Sequence, residues 1–502
     1  MKSLTNAAAC LFETGHESDI AIECGTRRIS YGELRQTVAR AAGAWQRSGL
    51  AAGDRVVVFG PDSIEWVEAY LGAIWAGGVG IGVNSHLGIE ELAPILLESG
   101  VRFIWTTAEL APALVALSDR LPQPLVIAAA GLGCVDWMEA CAAATAIPPL
   151  PRAPHEMALW IGTSGTTGTP KGVVHSHSVT APCAAFAREI LGAGPQDRLY
   201  ATSKLFFAYA LANSLFAGLR LGATVILDPE WPTAERVLKM VKTHRPTILF
   251  CVPTLYHKML QGGIAHQLAG RGIRHYISAG EGLPPKLRAD WQRATELAPI
   301  SCYGTSETLC LMLYCDNDSG RLTPTPLTEL RYDKLPPELP QRLWVRHPAV
   351  ARGYWQRPKE QADGFHEGWF SPGDMFLRHD GWLEFTGRND DMLKIAGQWV
   401  STQWVEQALR LACGDSVQAL AAVGVKSDDG LTAIAAFLVA TPNQEVAARS
   451  SLSSGIAGLP GHKRPRWVHW VEALPLTATG KLQRAKLGAL HEQQREAALL
   501  TS

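Results

Sequence analysis

Two periods of apolar positions alternate along the first eighty residues. Leu34, Val38, Ala42 and Trp45 recur at helical spacing and share one face. Ser30 and Glu33 precede them at capping-box spacing, and Gly49 stands where a helix would be closed. The continuous apolar run 56–59 reads as a buried strand, 63–76 as a helix ended by Gly77 and Gly78, and 79–83 as a second strand. A strand–helix–strand unit of this kind implies parallel pairing.

Similar short runs recur at 103–105, 125–127, 224–227 and 247–251, with helical segments between them. The pattern predicts an α/β fold whose large N-terminal domain, residues 1–389, is built of mostly parallel sheets and helices. After Arg388 the texture changes. Strands at 418–425 and 431–439 alternate with helices at 402–411 and 445–457, which predicts a small α+β C-terminal domain over 390–502. The proline-rich stretch 322–340 reads as a loop or distorted turn region.

Composition adds exclusions. With 502 residues, 47% hydrophobic and 19% charged, the chain is globular and too long for one core. A net charge of −1 gives no reason to expect a nucleic-acid or anionic-membrane surface. The ten cysteines are scattered with no C-x-x-C pair and read as small buried hydrophobes kept reduced. No stretch approaches the ~18–20 apolar residues of a membrane span, and the N-terminus lacks the apolar core of a signal peptide. The cytoplasm is the expected location.

The most informative string is Thr163-Ser164-Gly165-Thr166-Thr167-Gly168-Thr169-Pro170-Lys171-Gly172. It follows an apolar approach, 157–161, that reads as a strand. Glycines let backbone N–H groups turn inward, hydroxyls add donors, and Lys171 adds a positive charge, so the string is suited to wrap a polyphosphate. It is not a Walker A loop, because Pro170 precedes Lys171 and Gly172 follows it. The string resembles the phosphate loop of the adenylate-forming superfamily, which holds acyl- and aryl-CoA synthetases, luciferases and peptide-synthetase adenylation domains.

Further segments match in order, and the resemblance implies a role for each. In Tyr303-Gly304-Thr305-Ser306-Glu307-Thr308, Tyr303 stacks on adenine, Thr305 meets the α-phosphate, and Glu307 holds Mg²⁺. In Gly368-Trp369-Phe370-Ser371-Pro372-Gly373-Asp374, Asp374 accepts hydrogen bonds from the ribose hydroxyls; Pro372 departs mildly from the usual Thr. In Gly387-Arg388-Asn389-Asp390-Asp391-Met392-Leu393-Lys394, Arg388 reaches ribose or phosphate and Asp390 is the pivot between domains, with Gly397 beside the pantetheine arm. Pro475-Leu476-Thr477-Ala478-Thr479-Gly480-Lys481 ends in the catalytic lysine, Lys481, which bridges carboxylate and α-phosphate. The resemblance runs from about Ser30 to Arg484.

Ser203-Lys204-Leu205-Phe206-Phe207-Ala208-Tyr209-Ala210-Leu211-Ala212-Asn213 is similar to the stretch bordering the aryl pocket of benzoate- and hydroxybenzoate-CoA ligases. By this likeness Phe207, Ala208 and Tyr209 border a benzoate ring. Ser278-Ala279-Gly280-Glu281 is similar too, and places Ser278, Gly280 and Glu281 on the adenine and aryl side. Where benzoate ligases typically carry a His after the metal-binding Glu, this chain has Cys310, whose smaller side chain favours a ring-substituted benzoate. The region between Gly320 and Trp344 is shorter than in the family.

The expected activity is ATP- and Mg²⁺-dependent conversion of an aryl acid to an aryl-adenylate, then transfer to CoA. The phosphopantetheine arm of an acyl carrier protein is the alternative acceptor, and a homodimer is left open. A non-catalytic nucleotide-binding regulator is the contrasting reading. Joint retention of Glu307, Asp374, Arg388 and Lys481 argues against it.

Overall fold

The computed structural model describes residues 5–163, 171–317, 319–333, 335–337, 339–388, 392–395, 398–427, 431–476 and 482–500. They form two compact units. One is drawn from within Met1–Thr163, Pro170–Leu330 and Val345–Phe370, the other from within Arg331–Trp344 and Ser371–Ser502.

In the first unit the expected local chemistry is present. Helix Tyr31–Arg47 opens on a capping box: the Glu33 amide donates to the Ser30 hydroxyl at 3.3 Å, and the Ser30 amide donates to the Glu33 carboxylate at 2.9 Å. Leu34, Val38, Ala42 and Trp45 on its inner face are all buried. Ser48 caps its end, and Gly49 follows at φ +93°. Strand Arg55–Phe59 runs parallel to Val79–Val83, with helix Ile64–Trp75 between them.

Among the described residues this unit has two large sheets. The seven-stranded one runs Gly353–Tyr354, Lys171–Ser176, Met157–Thr163, Val79–Val83, Arg55–Phe59, Phe103–Thr106, Val126–Ala128. It is parallel except where Lys171–Ser176 meets its two neighbours. The nine-stranded one runs Thr323–Pro324, Leu313–Cys315, Ile300–Tyr303, His275–Ser278, Ile248–Cys251, Arg198–Ala201, Thr224–Leu227, Ile20–Cys24, Arg27–Ser30. Its middle six strands are parallel, as continuous apolar runs between helices require. Tyr256, Met259, Tyr276 and Trp291 pack in one of its cores, where Trp291 meets Tyr256 and Tyr276 edge-on at 4.5 and 5.2 Å.

The second unit holds the hairpin of Asp374–Arg378 with Leu383–Arg388 and a second one of Met392–Ile395 with Gln398–Ser401. Val417–Lys426 pairs antiparallel with Thr432–Ala440, which pairs in parallel with Trp467–Trp470. Helices Thr402–Cys413, Glu445–Gly458 and Arg484–Leu500 accompany them. This is the expected α+β texture, and the α/β reading of the chain holds.

Two expectations need correction. The stretch 322–340 contains short strands, Thr323–Pro324 and Glu329–Tyr332. Thr325 anchors it, donating its hydroxyl to the Leu311 carbonyl at 2.7 Å and its amide to Met312 at 2.9 Å, while Pro324 sits on an edge strand where a missing N–H costs little. The cysteines are also not uniformly buried: Cys10, Cys24, Cys134 and Cys141 are half-exposed, whereas the other six are buried. No described helix is long and apolar enough to cross a membrane.

Candidate active site

In the nine-stranded sheet the carboxyl ends of three adjacent parallel strands, Ile248–Cys251, His275–Ser278 and Ile300–Tyr303, come together. Ligands of open α/β sheets bind at such ends. Ser278 closes the middle strand, buried, and its hydroxyl has no hydrogen-bond partner among the described residues. Gly280 follows at φ +87°, a conformation that suits glycine, and both it and Glu281 are exposed. Glu281 accepts from the amide and hydroxyl of Thr254 at 3.1 and 2.6 Å, which fixes its carboxylate beside the strand ends.

Tyr303 ends the third strand, and the loop after it is tightly tied. The Thr305 amide donates to the Thr308 hydroxyl at 2.9 Å, and the Thr308 amide donates to the Thr305 hydroxyl at 3.3 Å. Because Thr305 Oγ1 accepts here, its own proton stays available for an anionic oxygen. Gly304 is required by space: a Cβ there would lie 2.9 Å from the Cys310 carbonyl. Leu309 sits at φ +57°, a strained conformation for a leucine. Cys310, buried, has its Sγ 3.6 Å from that of Cys183.

The other sheet reaches the same loop. Strand Lys171–Ser176 starts at the half-buried Lys171 and carries His175, whose Nε2–H donates to the Ser306 carbonyl at 2.9 Å. Burial pushes the His175 ring's pKa down to about 4, against the opposing effect of the Ser306 and Ala349 backbone beside it. On the neighbouring strand Tyr354 donates its hydroxyl to Glu307 Oε1 at 2.8 Å, and the Lys171 ammonium lies 5.5 Å from the Tyr354 ring centre. Neither His175 nor Tyr354 is singled out by the sequence. Their roles depend on strands far apart in the chain, and the run Lys171–Ser176 carries no alternation in sequence that would mark His175.

Tyr209 is brought to the same strand ends. Its hydroxyl donates toward the Ile277 carbonyl at 3.0 Å, with that of Cys251 at 3.4 Å, and its ring meets Phe250 edge-on at 5.9 Å. Burial pushes the phenol's pKa well up, so it stays protonated. Ala208 is buried and Phe207 half-buried against Phe206, with ring centres 4.3 Å apart. The helix that follows passes through a π-helical segment, Leu211–Phe216, a distortion common at functional sites.

In the second unit, Asp374 and Arg388 are paired in the backbone register of one hairpin, and Asp374 is buried. Thr163 ends its strand opposite Lys171. Ser164, Gly165, Thr166, Thr167, Gly168, Asp390, Gly397 and Lys481 lie outside the described residues.

The described residues contain no cluster of three acidic, His or Cys side chains able to cage a metal. Glu307 nonetheless offers a hard carboxylate, oriented through one oxygen by Tyr354. One carboxylate completed by substrate phosphates is the donor set Mg²⁺ prefers, so the residues fit.

The model of the AMP-binding enzyme family matches residues 12–355. The chain belongs to this family. It is an adenylate-forming acid–thiol ligase. It is 37% identical over 494 residues to a 3-hydroxybenzoate–CoA ligase of Aromatoleum sp. (strain CIB), covering 94% of this chain and 93% of that one. A benzoate–CoA ligase of Thauera aromatica is 34% identical over 478 residues, covering 91% and 90%. Among solved structures, an anthranilate CoA ligase in complex with anthranoyl-AMP superposes on this ligase with a TM-score of 0.88 at 27% identity, over 98% of each chain.

Proposed function

We propose that this ligase activates a benzoate carrying a small polar ring substituent, hydroxybenzoate foremost, and delivers it to CoA. The observation that carries the reading is the wall at Tyr209. Its hydroxyl is consumed by backbone carbonyls and its ring is braced by Phe250, so it offers a rigid aromatic face at the strand ends that bear the nucleotide motifs. Such a face suits a flat ring. The small side chain of Cys310 and the likeness to hydroxybenzoate–CoA ligases support a hydroxybenzoate over benzoate.

In the proposed reaction a substrate carboxylate oxygen attacks the α-phosphorus of ATP, and the bond to the pyrophosphate oxygen breaks. Lys481 bridges the attacking carboxylate and the α-phosphate, and the free proton of Thr305 Oγ1 serves the same phosphate as charge builds up. Thr163, Ser164, Thr166 and Lys171 hold the pyrophosphate oxygens. Tyr303, Ser278, Gly280 and Glu281 line the adenine side, and Asp374 and Arg388 serve the ribose. Glu307 would hold Mg²⁺, which, when bound, offsets charge on the leaving pyrophosphate. Rotation about Asp390 then withdraws Lys481 and brings Gly397 to the site. The thiol sulfur attacks the acyl carbon, AMP leaves with the bonding pair, and the thiol proton passes to solvent.

The test is pyrophosphate release against benzoate, hydroxybenzoates, aminobenzoates and medium-chain fatty acids, each with CoA and with a holo carrier protein. The expected result is highest kcat/KM for a hydroxybenzoate with CoA. Preference for a straight-chain acid would overturn the aryl reading, and preference for the carrier protein would overturn the acceptor.

A further inference from the structure

Glu307 is held from one short segment of chain at both its backbone and its side chain. The Ala351 amide donates to the Glu307 carbonyl at 2.7 Å, and three residues later the Tyr354 hydroxyl donates to Glu307 Oε1 at 2.8 Å. The segment is itself anchored to the strand that begins at Lys171. Gly353 pairs with Val174, Tyr354 pairs with Val173, and the Trp355 amide donates to the Gly172 carbonyl at 2.8 Å. The Tyr354 ring is clamped edge-on against Phe365, with centres 5.4 Å apart, and the Lys171 ammonium lies 5.5 Å from its centre. One side chain thus touches the carboxylate of one motif with its hydroxyl and the cation of another with its ring face.

We infer that Tyr354 is a positioning residue for Mg·ATP: its hydroxyl fixes the Glu307 carboxylate in the orientation that receives the metal, and its ring face holds the Lys171 ammonium. The inference rests on the assignment of Glu307 as the metal-binding carboxylate. The physical reason is economy of rotamers. A glutamate has three side-chain torsions, and a carboxylate that must order itself at each binding event loses affinity. A phenol donating to one oxygen removes that freedom while leaving the carboxylate its charge. A hydrogen bond to a carboxylate is stronger than one between neutral groups. Loss of a group that orients a metal ligand in this way typically costs about 10–100-fold in metal affinity or activity. The ring contribution is separate: a cation over a tyrosine face is held by the ring quadrupole, which Phe largely retains.

Tyr354→Phe removes only the hydroxyl. Nucleotide binding is measured by calorimetry without acid or thiol, once with ATP and excess Mg²⁺ and once with ATP in EDTA. The expected result is a Kd for Mg·ATP weakened roughly tenfold, within the range found for groups behind a metal ligand, with the Kd for metal-free ATP unchanged. A purely structural role would weaken both alike, and that outcome overturns the inference, as does a variant with wild-type Mg·ATP affinity. Glu307→Gln and the double variant distinguish the two levels of the argument. If Glu307→Gln leaves Mg·ATP binding intact, the assignment of Glu307 fails. If Glu307→Gln weakens it and Tyr354→Phe does not, only the role of Tyr354 fails. If both weaken it and the double variant is no worse than Glu307→Gln, Tyr354 acts through Glu307, as inferred. Thermal melting shows whether each variant remains folded.

Discussion

His175 makes the support of the Glu307 loop sensitive to pH. Burial holds its pKa at about 4 in the folded chain, against an ordinary value near 6.5. The unfolded chain therefore takes up a proton at His175 as pH falls through 6.5, and the folded chain does not until about 4. Stability from this group is full above the unfolded value and is lost as pH falls toward the folded one. The loss from pH 7 to pH 5 is about 2 kcal/mol, and about 3 kcal/mol once the pH is near 4. His177 and His347 are lowered to about 4 in the same way, while burial raises Asp62 and Glu68 to about 7 and gives the opposite slope. The total pH dependence thus mixes several groups, and the difference between wild type and His175→Gln isolates one. At pH 7 the variant should be the less stable, because the Ser306 carbonyl loses a well-placed donor. Between pH 7 and pH 5 the gap should narrow by about 2 kcal/mol, because only the wild type carries the proton linkage. Urea-unfolding midpoints read by tryptophan fluorescence at half-unit pH steps measure it. A gap that stays constant across the range would mean that His175 is not held neutral by burial, and the reasoning would fail.

Lys481→Ala should slow adenylation roughly 10²-fold or more, on the scale of removing a preorganised charge donor, while thioester formation from synthetic aryl-AMP survives; equal loss in both half-reactions would end the assignment. Asp390→Pro, which fixes φ and restricts the preceding residue, should spare adenylation and depress thioester formation, and unchanged turnover would move the pivot elsewhere. Cys310→His should shift the kcat/KM ratio of hydroxybenzoate over benzoate against hydroxybenzoate by about 1–3 kcal/mol. The Cys183 sulfur already lies 3.6 Å from that of Cys310, so added bulk cannot be taken up on that side; an unmoved ratio would take Cys310 out of the proposed pocket.

Much of the fold was legible because the signals are local. A capping box three residues wide, a helix face at 3.6-residue spacing and apolar runs bounded by glycine each read correctly, from Ser30 through Val83 and again from Thr402 through Gly458. Strand Trp467–Trp470 and helix Arg484–Leu500 were not legible. The four residues of that strand are all half-buried, so they show no alternation, and the helix has only a weak apolar bias along its 17 residues. Tyr303, Thr305 and Glu307 could be named from a motif because they fall within one short segment. Tyr354 lies 47 residues from Glu307, and His175 lies 131 residues from Ser306. Such pairings are decided by sheet order, which one sequence does not print. The same holds for Asp374 and Arg388, named as separate motifs yet paired in the backbone register of one hairpin.

The Glu307 loop also shows why its supports come from outside. Leu309 at φ +57° costs about 1–2 kcal/mol relative to an ordinary helical or extended conformation, and the loop's internal bonds are shared rather than numerous. The Thr308 hydroxyl, with one proton, faces the carbonyls of both Thr305 and Cys310 at 3.1 and 3.0 Å. Three contacts hold the loop from the far side: His175 on Ser306, Ala351 on the Glu307 carbonyl and Tyr354 on its carboxylate. At about 1 kcal/mol net for each neutral bond and more for the one to a carboxylate, they offset the strain. The carboxylate is therefore set in place before nucleotide arrives, and ordering it is not charged against binding. If Glu307 receives Mg²⁺ as proposed, this pre-ordering is what lets a single acidic side chain serve a metal whose remaining ligands come with the substrate.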